Sequence, residues 1–201
     1  MRLLAFILIA AALVACGGGE SNVLSGNREG ILHYGNGSEP QGLDPHVVTG
    51  VPENHIIRGL FEGLAVKNPY TLEPEPGVAA SWDISEDGLV YTFHLRTDIP
   101  WVKHNPATGE VLQEVDADGN PRFVTANDFV YGIKRACNPN TGSYYSGIIA
   151  GVIRGCEAVY NIEDPENIPE EMFDAIGVSA PDAETLVIEM PQPAAYFLSM
   201  S

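Results

Sequence analysis

The fold is decided by Pro76-Gly77-Val78-Ala79-Ala80-Ser81-Trp82 and by Asp87-Gly88-Leu89-Val90-Tyr91-Thr92-Phe93-His94-Leu95-Arg96. From Leu89 to Leu95 every second residue is large and apolar, and the residues between them are mostly polar. This alternation predicts a half-buried β-strand, and Asp87-Gly88 supplies the turn before it. The segment therefore predicts a strand with one face turned to a protein core.

Shorter elements precede this strand. Ile31-Leu32-His33-Tyr34 predicts a short strand, followed by a Gly/Ser/Pro loop through Asp44-Pro45. Pro52 suits the first turn of a helix, and apolar residues recur at helical spacing as far as Gly63. Helical and strand patterns thus alternate in a mixed α/β chain.

A hairpin is predicted between Gly109 and Val124, with its turn in the Asp-Gly sequence near Gly119. Glu114, Asp116 and Asp118 also match the early ligand spacing of a calcium loop. However, Thr125 stands where such a loop needs a bidentate glutamate. The plain turn is the preferred interpretation.

The last third of the chain predicts one helix and two strands. Thr125-Ala126-Asn127-Asp128 resembles a capping box with Asp in place of Glu, and Asn138-Pro139-Asn140 ends the helix. Ile176-Gly177-Val178 and Thr185-Leu186-Val187-Ile188-Glu189 predict strands joined by a Pro181-Asp182 turn.

The N-terminus has the pattern of an export signal. Leu3 to Ala15 is apolar and uncharged, and it is shorter than the roughly 20 residues that a membrane-spanning helix needs. Leu13-Val14-Ala15-Cys16 resembles the bacterial lipobox, in which the cysteine is lipidated after cleavage; the alternative is an ordinary signal peptide with a chance cysteine. We expect a signal peptide over residues 1–15, then a lipidated Cys16 and a flexible tether over residues 16–27.

Charge and cysteine content restrict the partners and the compartment. The formal net charge is −17, with 27 acidic and 10 basic residues, so nucleic acid would be repelled. With Cys16 lipidated, Cys137 and Cys156 remain in a compartment that permits disulfides. They form either a disulfide, which export and the even count favour, or two buried free thiols.

No catalytic motif stands out in the sequence. GxSxG, HExxH and GxxxxGK[ST] are all missing, and no nucleophile has an obvious base beside it. His46 and His55 are close enough to suggest a metal pair, but ordinary loop and helix positions explain them more simply. The sequence therefore predicts a protein that is not an enzyme, and it assigns no metal and no cofactor.

An ordered series of blocks resembles the oligopeptide-binding family of ABC-importer solute-binding proteins (bacterial extracellular solute-binding protein family 5). The blocks are Gly37 to His46, Gly50 to Glu53, Leu60 to Leu64, Pro76 to Trp82 with Asp87 to Arg96, Thr125 to Tyr131, and Asp182 to Leu186. Together they cover roughly Gly30 to Met200. Fold-level kinship alone would not give function, but the order of six blocks indicates the family.

The resemblance implies an α/β, periplasmic-binding-protein-like clamshell of two lobes with an extra subdomain, of which only the N-terminal part is present. Residues 28–44 and 176–201 would belong to the first lobe, and residues 45–175 would form the inserted extra subdomain. The second lobe would lie beyond residue 201.

The resemblance also implies a ligand site and partners. Thr49-Gly50-Val51 matches the loop whose backbone pairs with a bound peptide, and Tyr145 matches a tyrosine that lines the cleft. Close relatives carry an acidic residue at the position of Thr49, which puts a charge contact to a peptide amine there in doubt. The alternative is that neither residue binds a ligand: Gly50 would be a turn glycine and Tyr145 a packed tyrosine.

The expected function is that of an extracytoplasmic lipoprotein, in the periplasm or on the outer face of the cell membrane. It would capture peptides and deliver them to the permease subunits of an ABC importer. The alternatives are a metal chelate, sugar or opine ligand in the same transport class, a sensory or adhesion lipoprotein, and an extracytoplasmic hydrolase.

Overall fold

The strand predicted around Phe93 is confirmed in a computed structural model, which describes residues 20–200. It runs from Val90 to Leu95 and buries Tyr91, Phe93 and Leu95. These are the alternate side chains that were expected to face a core. The alternation in the sequence therefore corresponds to the buried and the exposed face of the strand.

The described residues contain six α-helices and eight strands. The helices are α1 (Asn22–Glu29), α2 (Val51–Leu60), α3 (Ala126–Cys137), α4 (Ser146–Ala150), α5 (Cys156–Tyr160) and α6 (Glu170–Asp174). The strands are β1 (Ala65–Lys67), β2 (Pro74–Pro76), β3 (Ala79–Ile84), β4 (Val90–Leu95), β5 (Val102–His104), β6 (Val111–Gln113), β7 (Val178–Ser179) and β8 (Thr185–Glu189). Short 3₁₀ turns lie at Pro139–Thr141, Pro165–Asn167 and Phe197–Ser199.

Four antiparallel strands form the main sheet in the order β3-β4-β8-β7. Phe93 of β4 pairs with Trp82 of β3 on one side and with Leu186 of β8 on the other. Helix α3 packs against β7 and β8, so one face of the sheet is covered. A sheet covered on one face produces the alternation of apolar and polar residues seen in β4 and β8.

A disulfide between Cys137 and Cys156 joins the end of α3 to the start of α5. Both cysteines are fully buried and belong to the same core as Phe93, Leu186 and Ile188. The cross-link therefore lies inside the core that the sheet and its helices share.

The predicted capping box is confirmed at the start of α3. The Asp128 carboxylate accepts hydrogen bonds from the Thr125 backbone N–H at 2.8 Å and from the Thr125 hydroxyl at 3.0 Å. The helix then runs to Cys137 and stops at Asn138, before the proline that was expected to end it.

The predicted strand at residues 31–34 is wrong. These residues form no strand in the structure, and Leu32 is 87% exposed. The described chain divides into two units between Glu39 and Pro40. Within residues 20–39 the regular element is helix α1, so the segment has no strand beside it with which to pair.

Helix α1 occupies most of the described part of the stretch that was expected to be a flexible tether. The Ser21 side chain accepts a hydrogen bond from the Leu24 N–H at 3.3 Å and caps the helix. Gly30 ends the helix in the left-handed conformation with φ of 72°. The caps explain a helix that the Gly-rich composition did not suggest. Residues 1–19, with the predicted signal peptide and Cys16, lie outside the described residues.

The predicted hairpin between Gly109 and Val124 is present, but it is part of a longer ribbon. Val115 bridges to Pro121 across the Asp-Gly turn, and β6 also pairs back to β5. One acidic group of the alternative calcium loop is engaged in the turn itself, because the Asp116 carboxylate accepts the backbone N–H groups of Asp118 and Asn120, each at 2.9 Å.

The main sheet crosses the expected boundary between the extra subdomain and the first lobe. Strands β7 and β8 lie after residue 175, yet β8 pairs along its length with β4. A sheet is one hydrogen-bonded unit, so residues on both sides of that boundary share a single core.

Candidate ligand-binding site

The three residues Thr49, Gly50 and Val51 lie where a loop enters helix α2. Gly50 is the N-cap, with an extended backbone at φ of −85° and ψ of 155°, and its carbonyl accepts the N–H of Asn54. Within residues 20–200, neither the N–H nor the carbonyl of Thr49 takes part in a hydrogen bond. Thr49 is exposed and directly precedes the extended Gly50, so its unpaired N–H and carbonyl can pair with another strand.

Tyr145 lies at the start of helix α4 with 55% of its surface exposed. Its backbone N–H is donated to the Ser143 hydroxyl at 3.3 Å, and its carbonyl accepts the N–H of Ile148. The aromatic ring and the hydroxyl therefore remain available to a ligand. This exposure differs from the alternative interpretation, in which Tyr145 is packed in the core.

The structure does not join Tyr145 to the Thr49–Val51 loop by a hydrogen bond, because the described bonds of Tyr145 are all local. The segment that carries Tyr145 follows α3 and is held at both ends. The Cys137–Cys156 disulfide spans it, and the Thr141 hydroxyl donates to the Arg135 carbonyl at 2.7 Å. The two candidate sites thus lie on two loops that contact α3 separately.

An ion pair fastens the loop before Thr49 to helix α3. The Arg135 guanidinium donates to both oxygens of the Asp44 carboxylate, at 2.8 and 2.5 Å. His46 Nε2 lies 2.9 Å from the Gly132 carbonyl, which only accepts, so Nε2 donates there. His46 Nδ1 is then free to accept from Arg135 at 2.7 Å. These contacts give His46 a role in holding the loop.

The bonds from Arg135 hold the pKa of the Asp44 carboxyl well below its ordinary value. The ion pair therefore stabilises the folded chain fully above about pH 4, the pKa of an unfolded aspartate, and its contribution is lost as the pH falls below that value.

We expect Asp44→Asn to lower the free energy of unfolding by about 1 kcal/mol at pH 7, because solvent screens this partly exposed pair. The deficit should shrink steadily below pH 4, because Asp44 of the unfolded wild-type chain takes up a proton there while the folded carboxylate is still charged. Urea unfolding at several pH values measures it. Asp174→Asn, which removes the more exposed partner of Lys134, should cause little change at any pH. An Asp44→Asn deficit that stays constant with pH would count against the ion pair.

A second link was also missed from the sequence. Glu53, in the first turn of α2, is almost completely buried, and its Oε1 accepts the backbone N–H of Gln41 at 2.6 Å. This bond holds the pKa of the Glu53 carboxyl below its ordinary value. An acidic residue in a first helical turn is a weak signal, and nothing in the sequence indicated that its partner lies twelve residues earlier.

A groove lies beside α3, with a volume of about 470 Å³. Its lining residues are Tyr131, Lys134, Arg135, Asn138, Asn140, Thr141 and Phe173. Its two cationic side chains are already paired, Lys134 with Asp174 and Arg135 with Asp44. None of the four residues predicted to bind ligand lines it, so the groove and the candidate site are separate.

Within residues 20–200, no set of three or more His, Cys, Asp or Glu side chains is placed as metal ligands would be. No helix in the same range has both the length and the apolar character needed to cross a bilayer.

Comparison with known proteins indicates the family. Residues 73–201 match the family described as bacterial extracellular solute-binding proteins, family 5, middle part. The chain is 40% identical to the periplasmic oligopeptide-binding protein OppA of Escherichia coli K12, over 82% of this chain and 26% of that protein. It spans about a quarter to a third of the length of the curated relatives it matches.

Solved structures agree with the sequence comparison. A periplasmic oligopeptide-binding protein of Borrelia burgdorferi, OppAIV, superimposes with a TM-score of 0.63 and 32% identity, covering 82% of this chain and 28% of that one. Haemophilus influenzae OppA in complex with RPPGFSPFR gives a TM-score of 0.60 and 31% identity, with coverages of 80% and 27%. Both structures are of binding proteins that resemble this chain over the same fraction of their length.

Proposed function

The chain belongs to the bacterial extracellular solute-binding proteins of family 5, and from this membership we propose that it is part of a peptide-binding protein that serves an ABC importer. The relatives' names support a peptide ligand, since E. coli OppA is an oligopeptide-binding protein and the H. influenzae structure holds RPPGFSPFR. The whole protein would capture short peptides outside the cytoplasm.

The observation that carries the proposal is the free backbone of Thr49. Its N–H and carbonyl make no hydrogen bond within residues 20–200, and the neighbouring Gly50 has the extended conformation of a strand. A peptide bound as an added strand would pair with these groups whatever its sequence. Main-chain pairing of this kind suits a carrier that must accept many peptides.

Tyr145 would contribute the second part of the site. Its exposed ring can cover apolar side chains of a peptide, and its hydroxyl can bond a peptide carbonyl or amide. The chain offers no acidic side chain at position 49, so a peptide amine would have to be recognised elsewhere.

The lobe arrangement is also part of the proposal. Residues 28–44 and 176–201 would contribute to the first lobe and residues 45–175 to the extra subdomain, with the sheet β3-β4-β8-β7 continuous across that boundary. Peptide would favour the closed form of the clamshell, and the closed form would dock on the permease. A ligand can shift the equilibrium in this way only if it binds the closed state more tightly.

A lipid on Cys16 would keep the protein beside its transporter. One lipid-bearing residue can give reversible attachment, and more than one acyl chain makes it stable. Cys16→Ser should release the protein from washed membranes into the soluble fraction. If the variant stays on the membranes as the wild type does, lipidation at Cys16 is wrong.

We expect Tyr145→Ala to raise the dissociation constant for short peptides about tenfold, because a ligand-contacting ring contributes on the order of 1–2 kcal/mol. Calorimetric titration of the full-length protein measures this. The control is Tyr70→Ala, which removes an exposed tyrosine on the loop between β1 and β2. Equal effects of the two substitutions, or no effect of Tyr145→Ala, would exclude Tyr145 from the site.

A further inference from the structure

Glu53 is an acidic side chain that the fold buries, with 4% of its surface exposed. Burying a carboxylate is costly unless hydrogen bonds replace its contacts with water. The side chain accepts the Gln41 N–H, its own backbone N–H also acts on the carboxyl, and Oε2 has no hydrogen-bond partner within residues 20–200. A charged group kept in so poorly compensated a position needs a reason.

The second carboxylate oxygen lies against Gly50. A Cβ built on Gly50 would lie 1.9 Å from Oε2 and 2.9 Å from the carboxyl carbon of Glu53. The backbone of Gly50, with φ of −85°, is one that any residue adopts, so backbone torsion does not require glycine here. A side chain at position 50 would instead displace the Glu53 carboxylate, which fills the space beside the glycine.

Glu53 therefore ties the two ends of one loop together. Gln41 lies at the start of that loop and Gly50 at its end, and Arg135 fixes its middle through Asp44. A carboxylate displaced by a side chain at position 50 would lose its bond to Gln41, because the same group makes both contacts. The loop that presents Thr49 would then keep its contacts at Asp44 and His46 but lose the one at Gln41.

We propose that Glu53 is a positioning residue for the ligand site: its carboxylate, seated against Gly50 and bonded to Gln41, holds Thr49 and the extended Gly50 in the arrangement that receives a peptide. The inference rests on the proposed function. An ordered loop does not lose backbone freedom when the peptide binds, and each backbone residue ordered on binding would weaken affinity.

The test measures trialanine and pentaalanine binding to the full-length protein by calorimetry. We expect Glu53→Ala and Gly50→Ala each to weaken binding about tenfold, and the double variant to bind no more weakly than either single one. Such non-additivity arises because both substitutions break the same contact. Gly59→Ala is the matched control: it lies on the same helix, nothing is within 4 Å of its Cβ, and it should bind as the wild type does.

A conservative variant separates positioning from general damage. Glu53→Asp withdraws the carboxylate by one methylene, so it should weaken binding while leaving room for a side chain at position 50. Gly50→Ala should therefore cost little further affinity in the Glu53→Asp protein. If Glu53→Ala does not fold, this pair carries the comparison. Additive losses in either pair would overturn the proposal.

The amide signal of Gln41 in nuclear magnetic resonance reports the contact without any ligand. In the wild type its proton shift should titrate with the Glu53 carboxyl, and the titration should vanish in Glu53→Ala and Gly50→Ala but persist in Gly59→Ala. An unchanged Gln41 titration in Glu53→Ala shows that the contact does not exist.

If the contact exists but Glu53→Ala binds peptide as the wild type does, the positioning role is wrong and the proposed function stands. If the wild type binds neither trialanine nor pentaalanine nor any longer peptide, the proposed function fails, and the positioning role fails with it.

Discussion

Phe93→Ala is expected to lower the free energy of unfolding by about 3–5 kcal/mol, the usual effect of deleting a fully buried aromatic ring. Phe93 lies in the middle of the main sheet, with its ring centre 6.3 Å from those of Trp82, Tyr91 and Phe197. The cavity would open beneath three aromatic rings from different parts of the chain, which cannot all move to fill it. Urea unfolding of the chain measures the loss.

Trp82 gives a local signal for the same substitution. Because its half-buried indole packs on Phe93, its fluorescence emission should move to longer wavelength in the folded Phe93→Ala protein. Phe123→Ala is the control, since Phe123 is 41% exposed and its removal should cost less than about 1 kcal/mol. Similar losses for the two variants would mean that Phe93 is not at the centre of the core.

The second large effect is expected from the Cys137–Cys156 disulfide. Replacing both cysteines by serine should lower the free energy of unfolding by about 3 kcal/mol, because the cross-link closes a loop of intermediate length. Two serine hydroxyls would also occupy fully buried positions, which adds to the loss. The same substitution should weaken peptide binding, since the closed segment carries Tyr145.

A reducing agent distinguishes the cross-link from the packing of the two side chains. Dithiothreitol should lower the melting temperature of the wild type toward that of the double serine variant and should leave the variant unchanged. A wild type that melts at the same temperature with and without the reductant, at a concentration shown by mass spectrometry to break the bond, would contradict this account.

The parts of the fold that the sequence predicted well depend on short-range physics. Strand β4 and strand β8 have a buried face every second residue, and helix α3 begins at a capping box written in four consecutive residues. Each of these signals lies within the element it specifies. The same is true of the Asp-Gly turn near Gly119.

The failures came where a local pattern lacked a tertiary partner or where the partner was distant. Residues 31–34 have a strand-like composition but no neighbouring strand in residues 20–39. Asp44 and Arg135 are 91 residues apart in the chain, and no local sequence pattern indicates that they pair. Helix α1 was missed because the composition of the Gly-rich stretch outweighed the caps at Ser21 and Gly30.

For the candidate site too, the sequence indicated the positions but not the distant contacts that hold them. Gly50 was identified only as part of the loop that the family resemblance implies for peptide binding, and the structure adds that the carboxylate of Glu53 fills the space of its missing side chain. Tyr145 was identified only through the family resemblance, and its exposure makes it available to a ligand. A resemblance can mark the positions, but the contacts that hold them are visible only in three dimensions.

The central claim, peptide capture, is tested most directly by calorimetric titration of the full-length, delipidated protein with a mixture of peptides of two to nine residues. We predict saturable heat from a single peptide site, with the same mixture giving no cleavage products. A protein that binds no peptide but binds a metal chelate, a sugar or an opine would contradict the peptide assignment.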